Sequence, residues 1–117
     1  MPPSRDDIDA LLPLAPAAFH ILLALSFEDR HGYGIIQDVE VRTDYTVRLS
    51  AGTLYRTIQR LLEQGLIMEP RPTALIDERR RPYRITAFGK AVLRAESNRL
   101  AQLVRMARGA GLVVDRA

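Results

Sequence analysis

The strongest constraint on the fold lies between Ser50 and Gly65. Leu54, Ile58, Leu61 and Leu62 recur at i, i+4, i+7 and i+8, the single apolar stripe of an amphipathic helix. Ser50 suits the N-cap and Gly65 the C′ position, so the spacing predicts a helix over 51–64. The stretch after Gly65 is short and β-prone. Leu66-Ile67-Met68-Glu69 reads as a strand stopped by Pro70 and Pro72, and Pro82-Tyr83-Arg84-Ile85-Thr86 as a returning strand with Tyr83 and Ile85 on one face. A helix leading at once into a hairpin is the layout of a winged helix-turn-helix, with the hairpin loop, 70–82, as the wing.

The flanking segments agree with that layout. Ser4 can cap a short helix running to Leu12 with Asp6 and Asp7 in its first turn, so 1–14 is an N-terminal arm or short helix. Pro16 opens an almost wholly apolar helix through Leu25, and a second helix runs from about Gly32 to Arg42, burying Ile35, Ile36 and Val39. Tyr45-Thr46-Val47 is predicted to be a short extended segment. Thr86 caps a final helix from Ala87 to about Arg108, ~33 Å long, closed by Gly109 and Gly111. The fold class is therefore mainly α with a small β-hairpin. The chain divides into the arm (1–14), a winged helix-turn-helix (15–86), a C-terminal helix (87–109) and a flexible tail (110–117).

Composition narrows the function. The 117 residues include no cysteine, which excludes disulfides, thiolate catalysis and Cys-ligated metal. His20 and His31 are too few for most histidine metal sites. His20 reads as a core or interface residue, and His31 as a support for the turn into the second helix. No nucleophile–base pair or phosphate-cradling loop is visible; Glu28 and Asp29 read as solvated acids. No catalytic residue, metal or cofactor is expected, so an enzyme is disfavoured. No apolar run reaches the ~18 residues of a membrane helix, and no secretory signal is visible at the N-terminus, so a soluble cytoplasmic protein is expected.

The net charge of +3 is unevenly placed: residues 1–47 carry −5 and residues 48–117 carry +8. Of the 17 basic residues all but Lys90 are Arg, whose planar fork suits phosphate and guanine edges. A basic half on a small domain points to a polyanion, unless it is only a solvated surface.

Opposite the apolar stripe, Ser50, Thr53, Arg56, Thr57 and Arg60 share one face of the 51–64 helix, and Gly52 lets its start approach a backbone closely. Such a helix fits the major groove of duplex DNA: its N-terminus favours phosphate, its hydroxyls bind phosphate or base edges, and Arg reads guanine. Arg79, Arg80 and Arg81 at the end of the wing suit the backbone or a narrow minor groove. On the last helix Leu93, Leu100 and Ala107 recur every seven residues, flanked by Val92, Leu103 and Val104, which predicts pairing with a second copy. Tyr33 and Tyr55 are open to two roles, packing with wet hydroxyls or phosphate contact. A winged helix that docks a protein partner without binding DNA is the alternative.

Three segments resemble the PadR family of bacterial transcriptional regulators, in its subgroup with a short C-terminal region. They are His31-Gly32-Tyr33-Gly34-Ile35; Ser50-Ala51-Gly52-Thr53-Leu54-Tyr55 continued by Leu61-Leu62-Glu63-Gln64-Gly65-Leu66-Ile67; and Arg81-Pro82-Tyr83-Arg84-Ile85-Thr86-Ala87-Phe88-Gly89. The resemblance implies a homodimer on a roughly palindromic DNA operator that usually represses transcription. It implies DNA contact by Tyr33, Ser50, Gly52, Thr53, Tyr55 and the wing arginines, and dimerisation through the C-terminal helix. It also implies a hydrophobic or aromatic small-molecule effector near the dimer interface.

Overall fold

A computed structural model describes residues 3–70 and 80–114. The order of elements is α1 (Arg5–Asp9), α2 (Pro16–Phe27), β1 (Arg30–His31), α3 (Gly32–Arg42), α4 (Ala51–Glu63), β2 (Ile67–Met68), β3 (Pro82–Ile85) and α5 (Ala87–Gly109). The three strands form one antiparallel sheet in the order β1-β3-β2, with Arg30 opposite Tyr83 and Ile67 opposite Ile85. Helices α2, α3 and α4 pack around a core that includes Ile21, Leu22, Ile35, Leu54 and Leu61. Tyr83 and Ile85 enter it from the sheet, and Val92 from α5. This is a winged helix-turn-helix carrying a long C-terminal helix. The wing segment 71–79, with Arg79, lies outside the described residues.

Local chemistry sets the boundaries. The hydroxyls of Ser4, Ser50 and Thr86 each accept the third helical N–H of α1, α4 and α5, and Ser4 is answered by the Asp7 carboxylate in a capping box. His31 caps α3 in the same way, its Nδ1 accepting from Gly34 N–H at 3.1 Å. Gly65, at φ +73°, ends α4: its N–H donates to Leu62 and that of Leu66 donates to Leu61. These two bonds make a Schellman motif and satisfy carbonyls left open by the helix end.

Two expectations are corrected. Tyr45-Thr46-Val47 is a turn and contains no strand. Asp44 and Tyr45 both have left-handed φ, 49° and 64°. The Thr43 hydroxyl donates to Val39 O and accepts from Val47 N–H, at 2.8 and 3.1 Å, closing the chain back on α3. That closure overrides the β-propensity of the three residues. Val92 and Leu93, predicted at a dimer interface, are buried in the protomer's own core. The strand β1 was not anticipated either; two residues carry no alternation to detect.

One buried charge links the arm to α5. Glu96 is 2% exposed, accepts from Leu14 N–H at 2.8 Å, and pairs with Arg99. A carboxylate is costly to bury unless partnered in this way. The bond from Arg99 holds its pKa below the ordinary carboxylate value against the opposing effect of burial, with help from Leu14 N–H.

Glu96 and Gly89 each make the stability of this fold testable. The unfolded chain takes up the Glu96 proton first as pH falls, so this stabilisation is complete above the ordinary Glu value of about 4.3 and is lost as pH falls through the folded value. Urea midpoints taken from about pH 6 down to about pH 3 should fall less steeply in Glu96→Gln, which at neutral pH should itself be less stable by about 1–3 kcal/mol. At Gly89 an added Cβ would fall on the carbonyl oxygen of Leu66, whereas one at Gly52 meets nothing within 4 Å. Gly89→Ala should cost about 2–3 kcal/mol and Gly52→Ala should stabilise by about 0.5–1 kcal/mol in the same assay.

Candidate nucleic-acid interface

The outer face of α4 is fixed by its inner one. Leu54, Ile58 and Leu61 point into the core, so the helical repeat sends Gly52, Arg56, Gln59 and Arg60 outward, and all four are exposed. Thr53 and Thr57 lie half-buried along one flank. The sequence-predicted group therefore stands together on one helix, and Gln59 joins it. Its outward position comes from the same repeat, but its neutral side chain gave no separate signal.

The hydroxyls have distinct roles. Ser50 Oγ accepts from Thr53 N–H and donates to Thr53 Oγ1, both at 3.1 Å, so Ser50 is occupied in capping. Thr53 Oγ1, bonded to Ser50, has capacity left for one further hydrogen bond to an outside group. Thr57 donates to Thr53 O at 2.7 Å and can offer only an acceptor outward.

Tyr55 and Tyr33 part company. The Tyr55 hydroxyl lies 2.6 Å from where a Cβ on Gly32 would be, so its ring fills the α3–α4 junction, and any other residue at 32 would displace it. Tyr33, one residue along α3, is 63% exposed. Within the turn between α3 and α4, Arg48 lies over the Tyr45 ring at 5.9 Å, and both are exposed. This pair is invisible to a reading that makes the segment a strand.

Ion pairs gather around the sheet and α3. Arg30 bridges Glu28 at 3.3 Å and Asp38 at 3.1 Å, and Asp38 also holds Arg42. Asp29 takes Arg84 in a fork of bonds down to 2.8 Å, which holds that guanidinium further above its ordinary range. Three acids of the N-terminal half, Glu28, Asp29 and Asp38, are thus paired with arginines around the sheet and α3. Arg56 and Arg60 have no ion pair or hydrogen bond among the described residues, and neither does Arg80 at the foot of β3. Arg81 reaches Glu69 at 3.6 Å.

Beyond Leu100 the character of α5 changes. Leu103, Val104 and Met106 are 46, 43 and 62% exposed, and Leu100 and Ala107 are half-buried. Leu100, Leu103, Val104 and Ala107 form one stripe at i, i+3, i+4 and i+7. No helix among the described residues is long and apolar enough to cross a membrane.

A basic, hydroxyl-bearing helix presented by a helix-turn-helix, beside a β-hairpin, defines a winged-helix protein. Known proteins narrow this further. The sequence profile of the PadR-like family of transcriptional regulators matches residues 21–95. A transcriptional regulator of Mycobacterium tuberculosis is 36% identical over 92 residues, 78% of this chain and 81% of that one. Among solved structures, a transcriptional regulator from Clostridium thermocellum superposes with a TM-score of 0.68 at 24% identity, covering 92% of this chain and 96% of that one. A PadR family regulator from Clostridium difficile does so with a TM-score of 0.66 at 23% identity, covering 81% and 97%. The chain belongs to the PadR-like family of transcriptional regulators.

Proposed function

We propose that the protein acts in the cytoplasm as a homodimeric, sequence-specific DNA-binding repressor without catalytic activity. In this reading residues 15–86 are the DNA-binding unit, with α4 in the major groove and the wing on the backbone or in the minor groove, and 87–109 joins two copies. The observation that carries it is the pair Arg56 and Arg60, exposed beside the Thr53 hydroxyl, with no ion pair to either among the described residues. Phosphate supplies the missing counter-charge, and guanine edges supply the specificity.

The assembly is built on the exposed stripe of α5. An apolar helix face of this spacing is stabilised by a like face on a second copy. A twofold pair presents two α4 helices to a pseudo-palindromic site whose halves lie ~34 Å apart. A hydrophobic or aromatic effector taken up between the paired helices would alter that separation.

Two measurements test the reading. In fluorescence anisotropy against the protein's own promoter region, affinity should fall steeply with salt. Arg56→Ala should cost about 1–3 kcal/mol and relax base preference, whereas Arg80→Ala should weaken specific and random duplex alike. Affinity indifferent to salt, or no preference for the promoter over random duplex, would refute DNA recognition. In sedimentation, Leu103→Glu with Val104→Glu should convert a dimer into a folded monomer; a wild-type monomer would refute the pairing.

A further inference from the structure

One cavity uses the α4 flank for something a duplex does not need. It measures about 490 Å³ and lies between the N-terminal arm and α4. Leu11, Pro13 and Leu14 line one wall, and Thr53, Arg56 and Arg60 line the other. Buried Ala18 and Leu61 also line it and form its base. The volume falls within the range of small-molecule sites.

The two walls have opposite chemistry. On the polar side Arg56 and Arg60 are donors only, one helical turn apart, and neither has a partner among the described residues. The Thr53 hydroxyl, which can donate, lies beside them on the same wall. Among the described residues no Asp or Glu lines the cavity. Two guanidiniums and a hydroxyl donor suit a carboxylate or similar anion, which Arg can grip with two bonds. The opposite wall is leucine and proline, and it is fixed in place: Leu14 N–H is tied to buried Glu96, and Leu11 and Leu14 pack on the core. A DNA backbone is charged along its length and leaves such a wall unused. A ligand that satisfies both sides has one anionic end and an apolar body.

We infer that this cavity binds a small organic anion, a carboxylate carried on an apolar body, and that its occupation excludes DNA by capturing Arg56 and Arg60. The exclusion rests on the DNA reading above; the site does not. Control would then be direct: the ligand occupies the reading side chains of a single protomer, with no change in the separation of two.

The test uses the full-length protein and octanoate, with octanamide as its neutral counterpart and inorganic phosphate as an anion without an apolar body. In amide-resolved NMR titrations octanoate should shift signals of both walls, the arm at Leu11 and Leu14 and the helix at Thr53 to Arg60. It should bind at least about tenfold more tightly than octanamide or phosphate, a factor of ten corresponding to about 1.4 kcal/mol. Leu11→Ala should weaken octanoate several-fold and leave promoter affinity within about twofold, since only the apolar wall is altered. Shifts confined to α5, equal binding of octanoate and octanamide, or unchanged octanoate affinity in Leu11→Ala would overturn the site, and the wild-type titration decides the first two even if the variant misfolds. Promoter binding that persists under saturating octanoate would overturn the exclusion. Octanoate binding as mapped, in a protein that ignores DNA, would uphold the site and overturn only the operator reading.

Discussion

The end of α4, the first strand of the hairpin and the start of α5 meet at a single threonine. Thr86 Oγ1 donates to Gly65 O at 2.7 Å and accepts from Gly89 N–H at 2.9 Å, while Thr86 N–H donates to Leu66 O at 3.0 Å. Gly89 lets α5 cross directly over the Leu66 carbonyl, where no side chain fits. These contacts are between backbones or between backbone and a short side chain, so they leave little angular freedom. The direction in which α5 leaves the body is therefore set by how α4 ends. In a dimer built on α5, that junction would determine where each α4 stands relative to its twin.

The second anchor is Glu96, farther along the same helix. Its carboxylate draws the arm to α5 through Leu14. Removing either partner would leave a buried polar group unsatisfied, which is why a buried ion with full hydrogen bonding specifies position more sharply than an apolar contact does. The arm becomes one wall of the cavity beside α4. The helix that carries the exposed stripe at its far end thus also sets, at its near end, the surroundings of the basic face. The extents of the molecule, 54 × 38 × 22 Å, reflect this division between a packed body and a projecting rod.

Much of this was legible in the residues because it is written locally. Caps at Ser4, Ser50 and Thr86, the stop at Gly65 and the alternation of Tyr83 and Ile85 are each decided by a few neighbours. The outward group on α4 came from periodicity alone. The illegible parts depend on distant stretches of the chain. Tyr45 to Val47 favour a strand by propensity, but hydroxyl bonds from Thr43 and backbone closure onto α3 impose two left-handed residues instead. A helical stripe does not say whose core it enters, so Val92 and Leu93 read as partners for a second copy while in fact filling their own protomer. Arg30 and His31 pair with a strand some fifty residues away. Tyr55 was a matter of orientation: its junction with Gly32 exists only once α3 and α4 are packed.

The partition of charge has a kinetic consequence. Residues 1–47 carry −5 and residues 48–117 carry +8, and Arg56, Arg60 and Arg80 are unpaired among the described residues, so charge is spread unevenly over the particle. In the field of a polyanion such a body experiences a torque before it touches anything. It would arrive already turned, so that a larger share of diffusive encounters begins near the productive orientation. Added electrolyte shortens the reach of that alignment to about one Debye length, roughly 8–10 Å near physiological ionic strength.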